Sequence, residues 1–116
     1  MDIQTYSGGE RRRFQRQRPA KSAVRIICQR GELYMGPNLA EFLVDASEEG
    51  LGILMREALG AGERVCLTLE GVAPSIQVQR LGRVDWCEPA EGGLFRAGVE
   101  LDTPLDYPEL MALSTI

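Results

Sequence analysis

Histidine is missing from this chain of 116 residues, and its absence limits the chemistry that the chain can perform. General acid–base catalysis by histidine is excluded, and a zinc site would need carboxylates beside cysteines. Three cysteines occur, Cys28, Cys66 and Cys87, and no two of them have the CxxC spacing of a metal or redox motif. We interpret them as reduced side chains in or near the core, and we expect neither a metal ion nor a bound cofactor.

Long hydrophobic runs are also absent. No stretch of about 18 apolar residues occurs, and the first ten residues, MDIQTYSGGE, lack the apolar segment of a secretion signal. We therefore expect a cytoplasmic protein that does not insert into a membrane. The length suits one compact domain, and a hydrophobic fraction of 44% suffices for a modest core.

Charge is distributed unevenly along the chain. Residues 1–30 carry eight basic side chains against two acidic ones, a net charge of +6, whereas residues 31–116 carry five against fifteen, a net charge of −10. A surface that binds DNA or RNA needs positive charge over a broad area, which an acidic body opposes. The distribution argues against nucleic acid as a partner and is compatible with one small, concentrated anion site.

Alternating apolar residues predict six short strands, separated by turns rich in glycine and proline. The predicted strands span residues 22–29, 40–45, 51–55, 63–70, 75–86 and 94–101, with a break near Gly82 inside the fifth and a loop over 30–38. Strands without long helices between them indicate an antiparallel sheet, and closure into a small barrel would remove its edges. We therefore predict a mainly β fold, a six-stranded antiparallel barrel over about residues 20–103.

A short helix is predicted at the C-terminal end, over about residues 106–114. Asp106 can cap it, Pro108 suits its first turn, and Glu109 stands three residues after the cap, as in a capping box. The N-terminal end differs. Residues 1–9 have the composition of a flexible lead-in, and an arginine-rich arm covers 10–19.

The arm contains the stretch ERRRFQR at residues 10–16, in which four of seven residues are arginine. Arg12 and Arg16 have the spacing RxxxR, with Arg11 and Arg13 beside them and Arg18 shortly after. The planar guanidinium matches phosphate oxygens and the O6/N7 edge of guanine. The alternative is a solvated basic linker, because this spacing arises easily in an arginine-rich stretch. Mutual repulsion and the small apolar content predict that the arm is mobile until an anionic ligand binds.

A second motif, VDASEEGLG, has the pattern D/N-x-S-x-x-G in Asp45, Ser47 and Gly50. A carboxylate can accept from the N1–H and N2–H₂ donors of guanine, a hydroxyl can bind a base or a phosphate, and glycine permits a tight turn. A turn between two strands is the alternative, since it would use the same residues for local backbone hydrogen bonds. Together the two motifs describe a site for a guanine nucleotide.

These motifs, with LGRVDW and FRAGVEL further on, make residues 10–102 resemble the PilZ domain family, bacterial receptor modules for cyclic di-GMP. The resemblance implies a six-stranded barrel with a C-terminal helix and a mobile arm that closes over the ligand. By the resemblance, Arg12 and Arg16 occupy the ligand-binding positions of the RxxxR motif, and Asp45, Ser47 and Gly50 occupy those of the second motif. It also implies second-messenger signalling in the control of motility or biofilm formation.

Further residues enter through the same resemblance. An arginine directly before RxxxR, here Arg11, accompanies the binding of two intercalated cyclic di-GMP molecules, so we expect two ligands on a monomeric protein. Trp86 matches an aromatic position that can stack on a base, although half-buried packing on the barrel explains it equally well. Arg13, Arg18 and Arg56 are weaker candidates. The stretch between the motifs is longer than in many relatives, and RGELYMGPN at 30–38 holds the extra length.

Three classes of function are compatible with a small domain of this kind to different degrees. A receptor of one domain must pass its signal to another protein, so the first hypothesis includes an effector protein as partner. The second is a degenerate adaptor that acts by protein–protein contact without nucleotide. An enzyme has little support, because the sequence has no Walker-type loop and no nucleophile paired with a base.

Overall fold

A single antiparallel sheet accounts for most of the described chain, which in this computed structural model comprises residues 17–72 and 75–115. Its strands are β1 (Arg18–Pro19), β2 (Arg25–Arg30), β3 (Ala40–Ala46), β4 (Gly50–Met55), β5 (Arg64–Val72), β6 (Ser75–Pro89) and β7 (Phe95–Leu101). A 3-10 turn (Glu91–Gly93) precedes β7, and helix α1 (Tyr107–Leu113) follows it. The spatial order of the strands is β1-β3-β4-β7-β6-β5-β2.

The sheet curls until β2 packs beside β3, and the side chain of Asn38 joins the two strands at this seam. Its Oδ1 accepts from the N–H groups of Cys28 and Ala40, at 2.9 Å each, and its Nδ2 donates to the carbonyl of Ile26 at 3.2 Å. Leu39 N–H donates to the Cys28 carbonyl at 2.8 Å. The predicted antiparallel barrel is therefore confirmed, with the short β1 as an additional strand outside β3.

The core lies inside the curled sheet, as the alternating pattern predicted. The fully buried side chains include Ile53, Met55, Val65, Leu67, Leu69, Val84 and Leu113. Cys28 lies among them, and burial raises the pKa of its thiol to about 12, so the thiol stays protonated at neutral pH. Cys66 is buried too, but the N–H of Tyr34, in the loop after β2, donates to its Sγ at 3.2 Å. All three cysteines are free, and Cys87 is half-buried.

Two strands differ from the predicted pattern. β6 is continuous from Ser75 to Pro89, so the predicted break near Gly82 is wrong. Glycine is required there because a Cβ on Gly82 would lie 2.8 Å from the backbone oxygen of Glu100. The irregularity lies further on, as a bulge between Val84 and Trp86. β1 adds a seventh strand, since Arg18 and Pro19 of the predicted arm pair with β3.

Helix α1 begins as predicted, with both hydrogen bonds of a capping box between Asp106 and Glu109. Its C-terminal end is joined to the residues after β1, where Lys21 N–H donates to the Leu113 carbonyl at 3.0 Å. Thr115 N–H donates to the Pro19 carbonyl at 2.7 Å. The base of the arm is thus held between β3 and the end of the chain. Within the described ranges, no helix has the length and apolarity needed to cross a membrane.

Candidate functional site

Two residues of the second motif close the turn between β3 and β4: Ser47 begins the turn, and Gly50 is the first residue of β4. Ser47 N–H donates to the carbonyl of Gly50 at 2.9 Å, and the Ser47 hydroxyl lies 3.3 Å from the same oxygen. Ser47 is only 1% exposed. A Cβ on Gly50 would lie 3.1 Å from the Val99 carbonyl oxygen, a tight contact that favours glycine. Both residues therefore shape the turn, as the turn interpretation requires.

Asp45 behaves differently, because its carboxylate extends along the outer face of the sheet. In register it pairs with Pro19 of β1 on one side and Gly52 of β4 on the other. A Cβ on Gly52 would lie 2.3 Å from Asp45 Oδ1, so the carboxylate rests directly on the glycine backbone. Its Oδ2 accepts from Nη2 of Arg96, on β7, at 3.2 Å. The carboxylate is thus displayed on the barrel wall.

Strand register aligns four residues across the outer face, which we call the glycine row: Asp45, Gly52, Gly98 and Trp86. A Cβ on Gly98 would lie 2.3 Å from Trp86 Nε1 and 2.5 Å from Cε2, so the indole lies against this glycine. The Asp45 carboxylate therefore lies over Gly52 and the Trp86 indole lies over Gly98. A ligand on this face would meet an acceptor at one end of the row and an aromatic ring at the other.

The base of the arm adjoins the glycine row. β1 runs antiparallel to β3, with Arg18 opposite Ala46 and Pro19 opposite Asp45. Arg18 is half-buried, and its Nε is a buried donor that has no hydrogen-bond partner among the described residues. A buried N–H that lacks an acceptor is unfavourable. The remaining arginine candidates, Arg11, Arg12, Arg13 and Arg16, lie outside the described residues.

Arg56 is not brought to this surface. It follows β4 at the end opposite the motif turn, about 17 Å along the strand. Its Nε donates to Glu41 Oε2 at 2.9 Å, and its Nη1 donates to the Asn38 carbonyl at 3.0 Å. These contacts join Arg56 to the beginning of β3, at the end of the strand that is away from the motif turn. The structure thus aligns Asp45 and Trp86 in one row, sets Arg18 on the neighbouring strand opposite the buried Ala46, and leaves Arg56 apart.

Three residues of this surface were missed by the sequence analysis, namely Gly52, Gly98 and Arg96. One signal was present for β7. Phe95, Ala97 and Val99 alternate along the strand predicted over 94–101, so Arg96 and Gly98 had to face the opposite side. The approach of Arg96 to Asp45 was not visible in this pattern, because it depends on how β3, β4 and β7 pair.

Neither the comparison with curated proteins nor the one with solved structures gives a match. The family model of the PilZ domain, however, matches residues 10–115. The match covers nearly the whole chain and includes both motifs and all four residues of the glycine row. The chain therefore belongs to the PilZ domain family.

Proposed function

We propose that the protein is a bacterial, cytoplasmic receptor for cyclic di-GMP that signals to an effector protein. Membership of the PilZ family supports the class of ligand. The observation that carries the proposal is the register of β1 with β3, which sets the base of the arginine arm beside Asp45. In this proposal the arm supplies the groups for phosphate and the glycine row supplies the groups for guanine.

Each part of the ligand has a chemically matched group in this arrangement. The Asp45 carboxylate accepts from the N1–H and N2–H₂ donors of a guanine, and the indole of Trp86 offers a stacking face. The arginines of the arm neutralise the phosphates and donate in pairs to their oxygens. Arg16 stands two residues before Arg18, at most about 7 Å of extended chain. Its position in the sequence therefore allows it to reach a ligand on the glycine row.

Hydrogen bonds link the base of the arm to the segment after helix α1, so ordering of the arm can affect that segment. In this proposal, ligand phosphates offset the repulsion among the arm arginines and order the arm. The base of the arm is hydrogen-bonded to the segment after helix α1, through Pro19 with Thr115 and Lys21 with Leu113. A change at the arm therefore bears on the C-terminal segment, where an effector protein can detect it. Members of this family are binding modules, and we propose no catalytic role.

A nucleotide-independent adaptor is the second candidate, and the loop after β2 favours it. Leu33 is 77% exposed and Met35 is 68% exposed at the tip of this loop. The loop is held in place, because Glu32 Oε2 accepts from Arg64 Nε at 2.7 Å and the Gly36 carbonyl accepts from Gln29 Nε2 at 2.8 Å. A fixed loop with apolar side chains in solvent is suited to protein contact.

Amide chemical shifts measured during a titration with cyclic di-GMP separate the two candidates. The receptor predicts shift changes at Asp45, Gly52, Gly98 and Trp86, and new protected amides in the arm. GTP and cyclic AMP serve as controls and are expected to cause far smaller changes at the same concentration. The adaptor predicts no change with any of the three nucleotides at millimolar concentration.

Trp86 is the single tryptophan of the chain, so its fluorescence reports on the glycine row alone. We expect saturating cyclic di-GMP to change its emission intensity substantially, because a stacked guanine alters the surroundings of the indole. Trp86→Leu is expected to weaken binding about tenfold, as one lost stacking contact of about 1–3 kcal/mol implies. Unchanged emission at saturation, with binding verified by another method, would show that Trp86 serves packing only.

The number of ligands bound is a separate prediction. We expect two intercalated cyclic di-GMP molecules per protein chain, because three arginines, Arg11, Arg12 and Arg16, are available for their four phosphate charges. Native mass spectrometry should show a monomer with two ligands, and Arg11→Leu should shift the ratio toward one. A ratio of one for the unmutated protein would overturn the stoichiometry and leave the ligand assignment intact.

A further inference from the structure

The Asp45 carboxylate accepts a hydrogen bond from Arg96, an arginine that is not part of the arm. Arg96 lies on the outer face of β7, two residues before Gly98, with Nη2 3.2 Å from Asp45 Oδ2. Its register partner on β6 is Glu88, yet this ion pair runs in the opposite direction, across β4. The contact spans two strand spacings, about 10 Å between the backbones. Arg96 stands opposite Leu54 in register, and the long arginine side chain meets a carboxylate that itself extends from β3 over Gly52.

The contact sets the direction of the Asp45 carboxylate. Arg96 holds Oδ2, while Oδ1 rests 2.3 Å from the point where a Cβ on Gly52 would stand. The side chain of Asp45 is 21% exposed and that of Arg96 is 44% exposed, so both are accessible to a ligand. A carboxylate has about four lone-pair positions, and Asp45 therefore keeps acceptors for two further donors.

We propose that Arg96 is a specificity-determining residue, which holds Asp45 in the orientation that accepts from N1–H and N2–H₂ of guanine. This inference rests on the proposed binding of cyclic di-GMP. Without Arg96, the carboxylate regains rotation about its side-chain bonds. A carboxylate that must be ordered during binding distinguishes less well between guanine and a base that lacks the N2 amine. Arg96 therefore sets the preference for guanine as well as the affinity.

The test compares Arg96→Gln with the unmutated protein, using cyclic di-GMP and its hypoxanthine analogue, cyclic di-IMP, which lacks the N2 amine. We expect the unmutated protein to prefer cyclic di-GMP by about tenfold or more, as a lost hydrogen bond to a charged group implies. Arg96→Gln should weaken cyclic di-GMP binding by about tenfold and reduce the preference to about twofold or less. Arg96→Lys, which keeps the charge but loses the planar fork, should restore part of the preference.

Arg30→Gln is the matched control, since Arg30 is an exposed arginine on β2 that pairs with Glu63 and Glu57. It should change neither affinity nor preference. If Arg96→Gln fails to fold, Arg96→Lys still tests the inference. Full affinity and full preference in Arg96→Lys would show that the positive charge suffices, and this would overturn the role of the planar guanidinium. An Arg96→Gln variant with undiminished preference overturns the inference and leaves the receptor function intact. Failure of the unmutated protein to bind cyclic di-GMP overturns both.

Discussion

Asp45→Ala is expected to weaken cyclic di-GMP binding at least about a hundredfold while leaving the fold intact. Without the Asp45 carboxylate, the guanine loses two charge-assisted hydrogen bonds, each of about 1.5–3 kcal/mol. A loss of about 1.4 kcal/mol corresponds to a tenfold increase in Kd. Stability should change by less than about 1 kcal/mol, because the ion pair with Arg96 is partly exposed. Calorimetric titration and thermal unfolding of the same variant measure both quantities.

Asp102→Ala is the control for this experiment. Asp102 also pairs with an arginine, Arg64, but it follows the end of β7, four residues beyond Gly98. The hydrogen bond from Arg64 lowers the pKa of the Asp102 carboxyl, so it is ionised at neutral pH, like a ligand-binding carboxylate. Undiminished binding in Asp102→Ala would show that the weaker binding of Asp45→Ala does not result merely from the loss of one negative charge. An Asp45→Ala variant that is markedly less stable but binds normally would support the turn interpretation instead.

Gly82→Ala is expected to have the largest effect on stability. The new Cβ would lie 2.8 Å from both the Glu100 backbone oxygen and Val99 Cγ1, inside a continuous strand paired on both sides. Relief requires backbone movement in β6 or β7, and overpacking of this kind costs about 1–3 kcal/mol. Each kcal/mol should lower Tm by about 4–8 °C in a domain of this size.

Gly60→Ala provides the comparison for this prediction, because a Cβ at that exposed loop position meets no atom nearer than Glu63 Oε1 at 3.9 Å. Its Tm should stay within about 2 °C of the unmutated value, since surface changes are usually within about 0.5 kcal/mol. Equal melting temperatures for the two variants would contradict the close approach of β6 and β7 at Gly82.

Local patterns in the sequence predicted the elements of the fold well. Alternation of apolar residues identified the strands because a barrel wall buries one face of each strand, and the residues around Asp106 predicted both hydrogen bonds of the capping box. Gly82 was misread as a break for a physical reason. A glycine that interrupts a strand and one that lets a neighbouring backbone approach look the same in sequence.

The candidate site was only partly predictable. Asp45 was identified from its motif, but its contact with Arg96 joins residues 51 positions apart in the chain. Such a contact depends on the register of β3, β4 and β7, which no local pattern specifies. The same holds for the approach of Trp86 to Gly98, and for Asn38, whose position in a loop gave no sign that its amide joins β2 to β3.

Calorimetric titration of the unmutated protein with cyclic di-GMP, with GTP as the reference ligand, is the most direct test of the proposed receptor function. We expect saturable binding with a Kd in the micromolar range or tighter and two ligands per chain. GTP should bind far more weakly, because a single guanine with its phosphates cannot occupy both the glycine row and the arm. No detectable heat and no chemical-shift change with millimolar cyclic di-GMP would contradict the assignment of this surface as a cyclic di-GMP site.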